Sequence, residues 1–190
     1  MKRKVNTYFA LDCGKVRKNN EDRAAIIDTN DVQLLLVCDG MGGHKKGEVA
    51  SQLAIDIITS SFEFDDKNTT EYKAKKVIRK VMKKANSEIN NLATTNPNYA
   101  DMGTTVVMAV VLEDTTLICN CGDSRAYSYS KEYGLKQLTT DQTYVQYLYS
   151  LGKIKKEEIK THPKRHILMN AMGINPTIDY DIISLSLIHI

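Results

Sequence analysis

The sequence lacks the features that mark membrane-bound and exported proteins. Its apolar runs fall far short of the roughly 20 residues that a membrane-spanning helix needs. Its first residues, Met-Lys-Arg-Lys, are not followed by the apolar stretch of a secretory signal peptide. These absences predict a cytoplasmic protein with no membrane span.

The sequence also has little net charge, with 26 Lys and Arg against 23 Asp and Glu and a formal charge of +3 at pH 7. The lysines are scattered over helical stretches and are not gathered with aromatic residues, so we expect no nucleic-acid partner. Internal repeats, low-complexity tracts and linkers are absent from the sequence. A length of 190 residues is enough for one sizeable core, which predicts a single domain over residues 1–190.

Cysteine is sparse, at positions 13, 38, 119 and 121. Cys38 and Cys119 fall in apolar stretches, where reduced cysteine behaves as a small hydrophobic residue. Cys119 and Cys121 could form a zinc site with His44, but alternate residues of a strand do not have the usual spacing of zinc ligands. The sequence therefore favours reduced thiols over a zinc site.

The periodicity of the apolar residues predicts strands, then two helices, then strands again. The predicted strands are 5–12, 24–28, 32–38, 104–112, 115–121, 124–130 and 134–138, and the predicted helices are 48–61, 71–92, 143–151 and 155–159. Strands 24–28 and 32–38 form a predicted hairpin. This order argues against a parallel sheet and favours an α+β protein with antiparallel sheets and helices packed outside them.

The segment 34–51, LLLVCDGMGGHKKGEVAS, carries the most distinctive pattern. An apolar run ends in Asp39-Gly40, which predicts a buried strand that brings one carboxylate to the edge of the core. A glycine leaves its backbone carbonyl open, and such a carboxylate and carbonyl are ligands that Mg²⁺ or Mn²⁺ prefers. A tight turn between a strand and a helix uses the same dipeptide, so the segment alone leaves both interpretations open.

Two further acidic elements lie in predicted turns, and the order of the motifs resembles one known family. Glu21 and Asp22 precede a strand, and Asp123 joins two strands. Five ordered motifs resemble the bacterial branch of the metal-dependent Ser/Thr protein phosphatases, the protein phosphatase 2C family. The similarity runs from about residue 8 to about residue 183. The motifs are Gly14-Lys15-Val16-Arg17 with Asn20-Glu21-Asp22, then Asp39-Gly40-Met41-Gly42-Gly43-His44, Gly47-Glu48-Val49-Ala50-Ser51, Met102-Gly103-Thr104-Thr105 and Gly122-Asp123-Ser124-Arg125-Ala126-Tyr127.

The resemblance implies an α-β-β-α sandwich, in which two antiparallel sheets pack face to face between helices and hold metals in a cleft at one end. It implies hydrolysis of phosphoserine and phosphothreonine in proteins by a water that bridges two Mn²⁺ or Mg²⁺ ions, with a third ion in bacterial members. The expected partners are phosphoproteins made by a bacterial Ser/Thr kinase, and the kinase itself. The complete domain is expected to be a monomer.

The resemblance also assigns roles to the acidic residues. Asp39 would bridge the two ions, and the carbonyl of Gly40 would complete one coordination shell. Glu21 and Asp22 would bind or orient metal-bound waters, and Asp123 would hold the additional ion. Without the order of the motifs, Glu21 and Asp22 would be ordinary turn residues.

Two basic residues receive roles in catalysis. Arg17 would hold phosphate oxygens through its forked guanidinium, which lysine does not reproduce; without the motifs it would be a surface arginine. His44 is the candidate general acid for the departing serine oxygen, because imidazole titrates near neutral pH. In eukaryotic members the histidine that acts as general acid occupies the position of Met41 in this sequence, so the role of His44 stays open. Thr104 and Thr105 are interpreted as strand residues.

The sequence departs from the family after Pro176. The family's later Asp-Gly and Asp-Asn pairs do not occur, and only Asp179 and Asp181 follow. We therefore expect that the open reading frame was truncated when the nucleotide sequence was assembled. The domain would then lack its last strands and a helix, and the fragment itself is expected to be inactive. A non-catalytic phosphoprotein-binding or regulatory module on the same fold is the alternative function.

Overall fold

The computed structural model describes residues 5–29, 32–42, 46–63 and 69–186. The strands are β1 (Asp22–Asp28), β2 (Gln33–Met41), β3 (Gly103–Thr104), β4 (Val106–Val111), β5 (Thr115–Cys121), β6 (Tyr127–Ser130), β7 (Gly134–Gln137) and β8 (Asp181–Ser186). The helices are α1 (Lys46–Ser61), α2 (Glu71–Thr95) and α3 (Tyr144–Ser150), with 3₁₀ turns at Pro97–Tyr99 and Lys156–Lys160. The predicted α+β class with antiparallel sheets is confirmed, because each pairing between these strands is antiparallel.

The main sheet has the strand order β1-β2-β4-β5-β8, and the short β3 pairs with the end of β2. In its centre Leu36 lies opposite Ala25 on one side and Met108 on the other. Strands β6 and β7 form a separate two-stranded sheet, with Tyr129 opposite Leu135.

Helices α1 and α2 cover one face of the main sheet. Alternate residues of β2 point toward the helices and are fully buried, whereas Val37 on the other face is 41% exposed. The alternation follows from the two-residue period of a strand. The core that results joins β2, β4 and β5 to both helices through Leu34, Leu36, Ala54, Ile58, Ile78, Met82, Ile89, Met108 and Leu117.

The long helix α2 begins and ends at residues that cap it. The Thr70 hydroxyl accepts a hydrogen bond from the Lys73 N–H at 3.3 Å, which satisfies one of the free donors of the first turn. The apolar stripe of α2 packs on the sheet, as the helical spacing predicts. Within the described residues, we find that neither α2 nor another helix is long and apolar enough to cross a membrane.

Among the described residues, one predicted strand does not form and one strand forms that the sequence does not predict. Residues 5–12 form no strand, and Tyr8 is 86% exposed. The described part of the chain offers this segment no pairing strand, and alternation without a partner does not make a ladder. Conversely, β8 was not predicted, yet it pairs with β5 from Asn120 opposite Asp181 to Thr115 opposite Ser186.

The predicted strand 104–112 is interrupted at Thr105. Gly103 and Thr104 pair with the end of β2, with Thr104 opposite Gly40. After Thr105 the chain continues as β4, in which Val106 lies opposite Cys121 of β5. This break brings the end of β2 and the turn after β5 to the same place.

Candidate active site

The register of the first hairpin brings two predicted metal ligands together. Asp22 at the start of β1 lies opposite Asp39 near the end of β2. Asp39 is exposed to solvent as a residue, yet the pKa of its carboxyl is raised to about 6, first by partial desolvation and then by the charge of Asp22, a hydrogen bond with Asp22 and the charge of Asp123. The charge of Arg17 acts in the opposite direction. These four side chains therefore share one electrostatic environment.

Two glycines let the end of β2 touch the start of α1. A Cβ atom on Gly40 would lie 2.0 Å from the carbonyl oxygen of Gly47 and 2.8 Å from that of Glu21. The Glu21 carbonyl accepts the Gly40 N–H at 3.2 Å and the Ser51 hydroxyl at 2.6 Å. The acidic loop, the strand end and the helix are thus fixed to one another through backbone atoms.

Arginine side chains lie on both sides of the acidic loop. Arg23 donates through Nη1 to the carbonyls of Asn20 and Asp22, both at 2.8 Å, and its Nη2 lies 3.9 Å from the Glu48 carboxylate. Arg17 has a side chain that is 72% exposed, and its Nη1 lies 3.4 Å from Glu21 Oε2. Arg23 is therefore part of the framework, whereas Arg17 extends from the loop toward solvent.

The turn that carries Asp123 is held by Gln142. The Gly122 N–H donates to Gln142 Oε1 at 2.8 Å, and the Gln142 N–H donates back to the Gly122 carbonyl at 3.0 Å. Desolvation raises the pKa of Asp123, and the charge of Asp141 raises it further. Arg125 binds Asp141 through two hydrogen bonds of 2.8 and 2.5 Å.

The donor chemistry of this cluster fits hard divalent cations. The charges of Asp22 and Asp123 both raise the pKa of Asp39, which indicates a region of unneutralised negative charge, and such oxygen donors suit Mg²⁺ or Mn²⁺. Within residues 5–29, 32–42, 46–63 and 69–186, however, no three His, Cys, Asp or Glu side chains are already arranged around one point as a metal site. The described residues supply part of a metal shell.

The remaining sequence-based candidates have different surroundings. Gly40 is buried beside the cluster, and Glu21 lies in its loop. His44 lies outside the described residues. Burial raises the pKa of the Cys121 thiol to about 12 and also raises that of Cys119, as is typical of buried structural cysteines.

The residues that hold these carboxylates in position are not among the predicted site residues. The sequence predicts Thr104 and Thr105 as strand residues, and in the structure both also hydrogen-bond to the backbone of Asp39. Two hydroxyl residues in an apolar strand are the available signal. Gln142 also contacts Asp181 of β8 through Nε2, at 3.0 Å.

Comparison with known proteins agrees with this arrangement. The family model of protein phosphatase 2C matches residues 13–169. The chain belongs to the protein phosphatase 2C family. Serine/threonine phosphatase stp of Listeria monocytogenes serovar 1/2a is 34% identical over 178 residues, which are 93% of this chain and 70% of that protein. Serine/threonine protein phosphatase PstP of Mycobacterium tuberculosis is 35% identical over 170 residues, 88% of this chain and 31% of that protein.

Solved structures give the same result for the fold of this phosphatase domain. The crystal structure of serine/threonine phosphatase Stp1 from Staphylococcus aureus has a TM-score of 0.85 at 38% identity and covers 93% of this chain and 69% of that one. The S. agalactiae serine/threonine phosphatase has a TM-score of 0.85 at 26% identity, over 93% of this chain and 72% of that one. The predicted family, fold class and Ser/Thr phosphatase function are confirmed, and the non-catalytic alternative is not favoured.

Proposed function

We propose that this phosphatase domain carries out metal-dependent hydrolysis of phosphoserine and phosphothreonine in proteins, with Mn²⁺ or Mg²⁺ as its ions. The observation that carries this proposal is the pairing of Asp22 with Asp39 at the end of the first hairpin, within the electrostatic reach of Asp123. When bound, two such ions neutralise the phosphate dianion and lower the pKa of a water to near neutral.

Four acidic side chains and one backbone carbonyl of this chain would hold the ions. Asp39 would hold both ions, and the Gly40 carbonyl would contribute one backbone ligand. Glu21 and Asp22 would bind or orient metal-bound waters from the opposing loop. Asp123 would hold a third ion, and the desolvation that raises its pKa would make protons compete with this ion.

Arg17 binds the substrate phosphate, and His44 gives a proton to the departing serine oxygen. The 72% exposure of the Arg17 side chain supports this role, because only Nη1 makes an ion-pair contact within the described part of the chain, to Glu21 at 3.4 Å, and a guanidinium has further N–H donors for phosphate oxygens. His44 lies outside the described residues, so its assignment rests on the motif alone.

We also propose a cellular setting and a domain organisation. The substrates are phosphoproteins made by a bacterial Ser/Thr kinase, together with that kinase, in the cytoplasm. Residues 1–190 form one phosphatase-like domain that acts as a monomer when it is complete. The domain spans 70% of the Listeria relative, and we propose that the other metal ligands, strands and helix correspond to the part that it does not span.

The test compares the 1–190 chain with a chimera that continues into the unmatched part of the Listeria phosphatase. We expect the chimera to release phosphate from a phosphothreonine peptide in Mn²⁺, and the 1–190 chain to release almost none. Asp39→Asn should abolish turnover, whereas Asp28→Asn at the other end of β1 should not. Turnover that continues undiminished in EDTA would contradict metal dependence.

A further inference from the structure

We infer that Thr105 is a positioning residue that fixes the backbone of Asp39 to the turn that carries Asp123. The inference rests on the proposed function, because it concerns two carboxylates that are proposed to hold ions. Thr105 is 2% exposed and lies at the break between β3 and β4. It belongs to neither strand, and its polar groups are therefore available to the site.

Thr105 satisfies both backbone polar groups of Asp39. Its N–H donates to the Asp39 carbonyl at 2.9 Å, and its Oγ1 accepts the Asp39 N–H at 3.1 Å. The Thr104 hydroxyl donates to the same carbonyl at 3.0 Å. The peptide groups on both sides of the Asp39 side chain are thereby held in one orientation.

The same side chain contacts the turn that carries Asp123. The Thr105 hydroxyl lies 2.6 Å from the hydroxyl of Ser124, the residue after Asp123. Gly122, the residue before it, has φ +105°, and a Cβ atom there would lie 2.7 Å from Thr105 Cγ2. One side chain therefore reaches the two neighbours of Asp123 and the backbone of Asp39.

Threonine carries both groups that these contacts require. Valine keeps the branched shape but removes the hydroxyl, which leaves the Asp39 N–H without its acceptor. Serine keeps the hydroxyl but removes the methyl group that packs on Gly122. Comparing the two variants separates the hydrogen-bonded link from the packing contact.

The first measurement is hydrogen exchange of the Asp39 amide by NMR, in EDTA, on the 1–190 chain. Thr105→Val should speed this exchange by about tenfold, because the Asp39 N–H loses its acceptor, and Thr105→Ser should restore protection. Thr116→Val in β5 is the matched control, since Thr116 is also buried but pairs with Val111 and Leu185. Global unfolding would change every amide alike.

The second measurement is a double-mutant cycle with Ser124→Ala. If Thr105 links the two segments, Ser124→Ala should speed exchange at Asp39 by about threefold in the wild-type chain and have no effect in the Thr105→Val background. Equal effects in both backgrounds, or an Asp39 amide that is indifferent to Thr105→Val, would overturn the inference.

Calorimetric titration with Mn²⁺ of the chimera, with and without the same Thr105 substitutions, separates this inference from the proposed function. Thr105→Val should weaken Mn²⁺ binding at least about fivefold, with recovery in Thr105→Ser. A wild-type chimera that binds no Mn²⁺ would contradict the proposed function, while the exchange cycle would still decide whether Thr105 links the two segments. Normal Mn²⁺ binding by Thr105→Val would overturn the positioning role.

Discussion

Adding a single methyl group at Gly40 should lower the stability of the chain substantially. A methyl group there would lie 2.0 Å from the Gly47 carbonyl oxygen, and side-chain carbons essentially never approach other atoms within 3.0 Å. In the Gly40→Ala variant the strand end and the helix must therefore separate by roughly an ångström. That movement would also strain the hydrogen bond from the Gly40 N–H to Glu21.

The expected cost follows from these two contacts. Overpacking a tight contact costs about 1–3 kcal/mol, and a weakened backbone hydrogen bond adds about 1 kcal/mol. For a chain of this size, a loss of about 3 kcal/mol lowers Tm by on the order of 10 °C. The same shift moves the Gly40 carbonyl, so Mn²⁺ affinity should fall as well.

The assay is urea and thermal unfolding of the 1–190 chain, followed by Mn²⁺ titration at a temperature where both proteins are folded. Gly134→Ala is the matched control, because its φ is +66° and a Cβ there meets nothing within 4 Å. That variant should lose only about 1 kcal/mol of stability, because alanine is strained at a positive φ. A Gly40→Ala chain as stable as Gly134→Ala would refute the close approach of β2 and α1.

Three further predictions follow from the site and its framework. Arg17→Ala in the chimera should raise KM for a phosphopeptide by about 10- to 100-fold and leave Mn²⁺ affinity unchanged, because a charged hydrogen-bond pair contributes about 1.5–3 kcal/mol. Arg17→Lys should not rescue KM, and an equal loss of Mn²⁺ affinity would show that Arg17 is misassigned. Mn²⁺ affinity should fall about tenfold between pH 7 and pH 5, because Asp39, with a pKa of about 6, is mostly protonated at pH 5; a flat calorimetric profile would contradict this. Asn86→Ala should lower the free energy of unfolding in urea by about 2–3 kcal/mol, because the Asn86 amide accepts from the Gly173 N–H at 2.8 Å and donates to the Asn175 carbonyl at 2.9 Å. Asn91→Ala, at an exposed position, is the control, and equal losses of stability in the two variants would contradict a stabilising role for these hydrogen bonds.

The hairpin that contains Asp22 and Asp39 was within reach of the sequence, but its register was not. The predicted hairpin turns between residues 28 and 32, and in an antiparallel hairpin the turn fixes every pair beyond it. That register would place Asp22 opposite Cys38, whereas the observed pairing of Asp28 with Gln33 places Asp22 opposite Asp39. The helices were equally accessible, since α1 and α2 have clear apolar stripes.

The approach of Asp123 to Asp39 was not accessible in the same way. It depends on the order β2-β4-β5 and on the break at Thr105, which are long-range features that local periodicity does not encode. The failed strand at 5–12 has a related cause. Its alternation is real, but a strand forms only when another strand pairs with it.

The electrostatics of Asp39 explain why so many backbone contacts surround it. Its pKa in the folded chain, about 6, is above its ordinary value of 3.8, so the protonated carboxyl stabilises the fold. This contribution is complete below pH 3.8 and is lost as the pH rises through 6. At neutral pH the metal-free chain therefore holds repelling carboxylates together, and the contacts of Gly40, Ser51 and Thr105 must offset that repulsion. A divalent cation reverses the sign of the effect, because it favours the ionised carboxyl. Metal binding and folding should therefore support each other most strongly above pH 6.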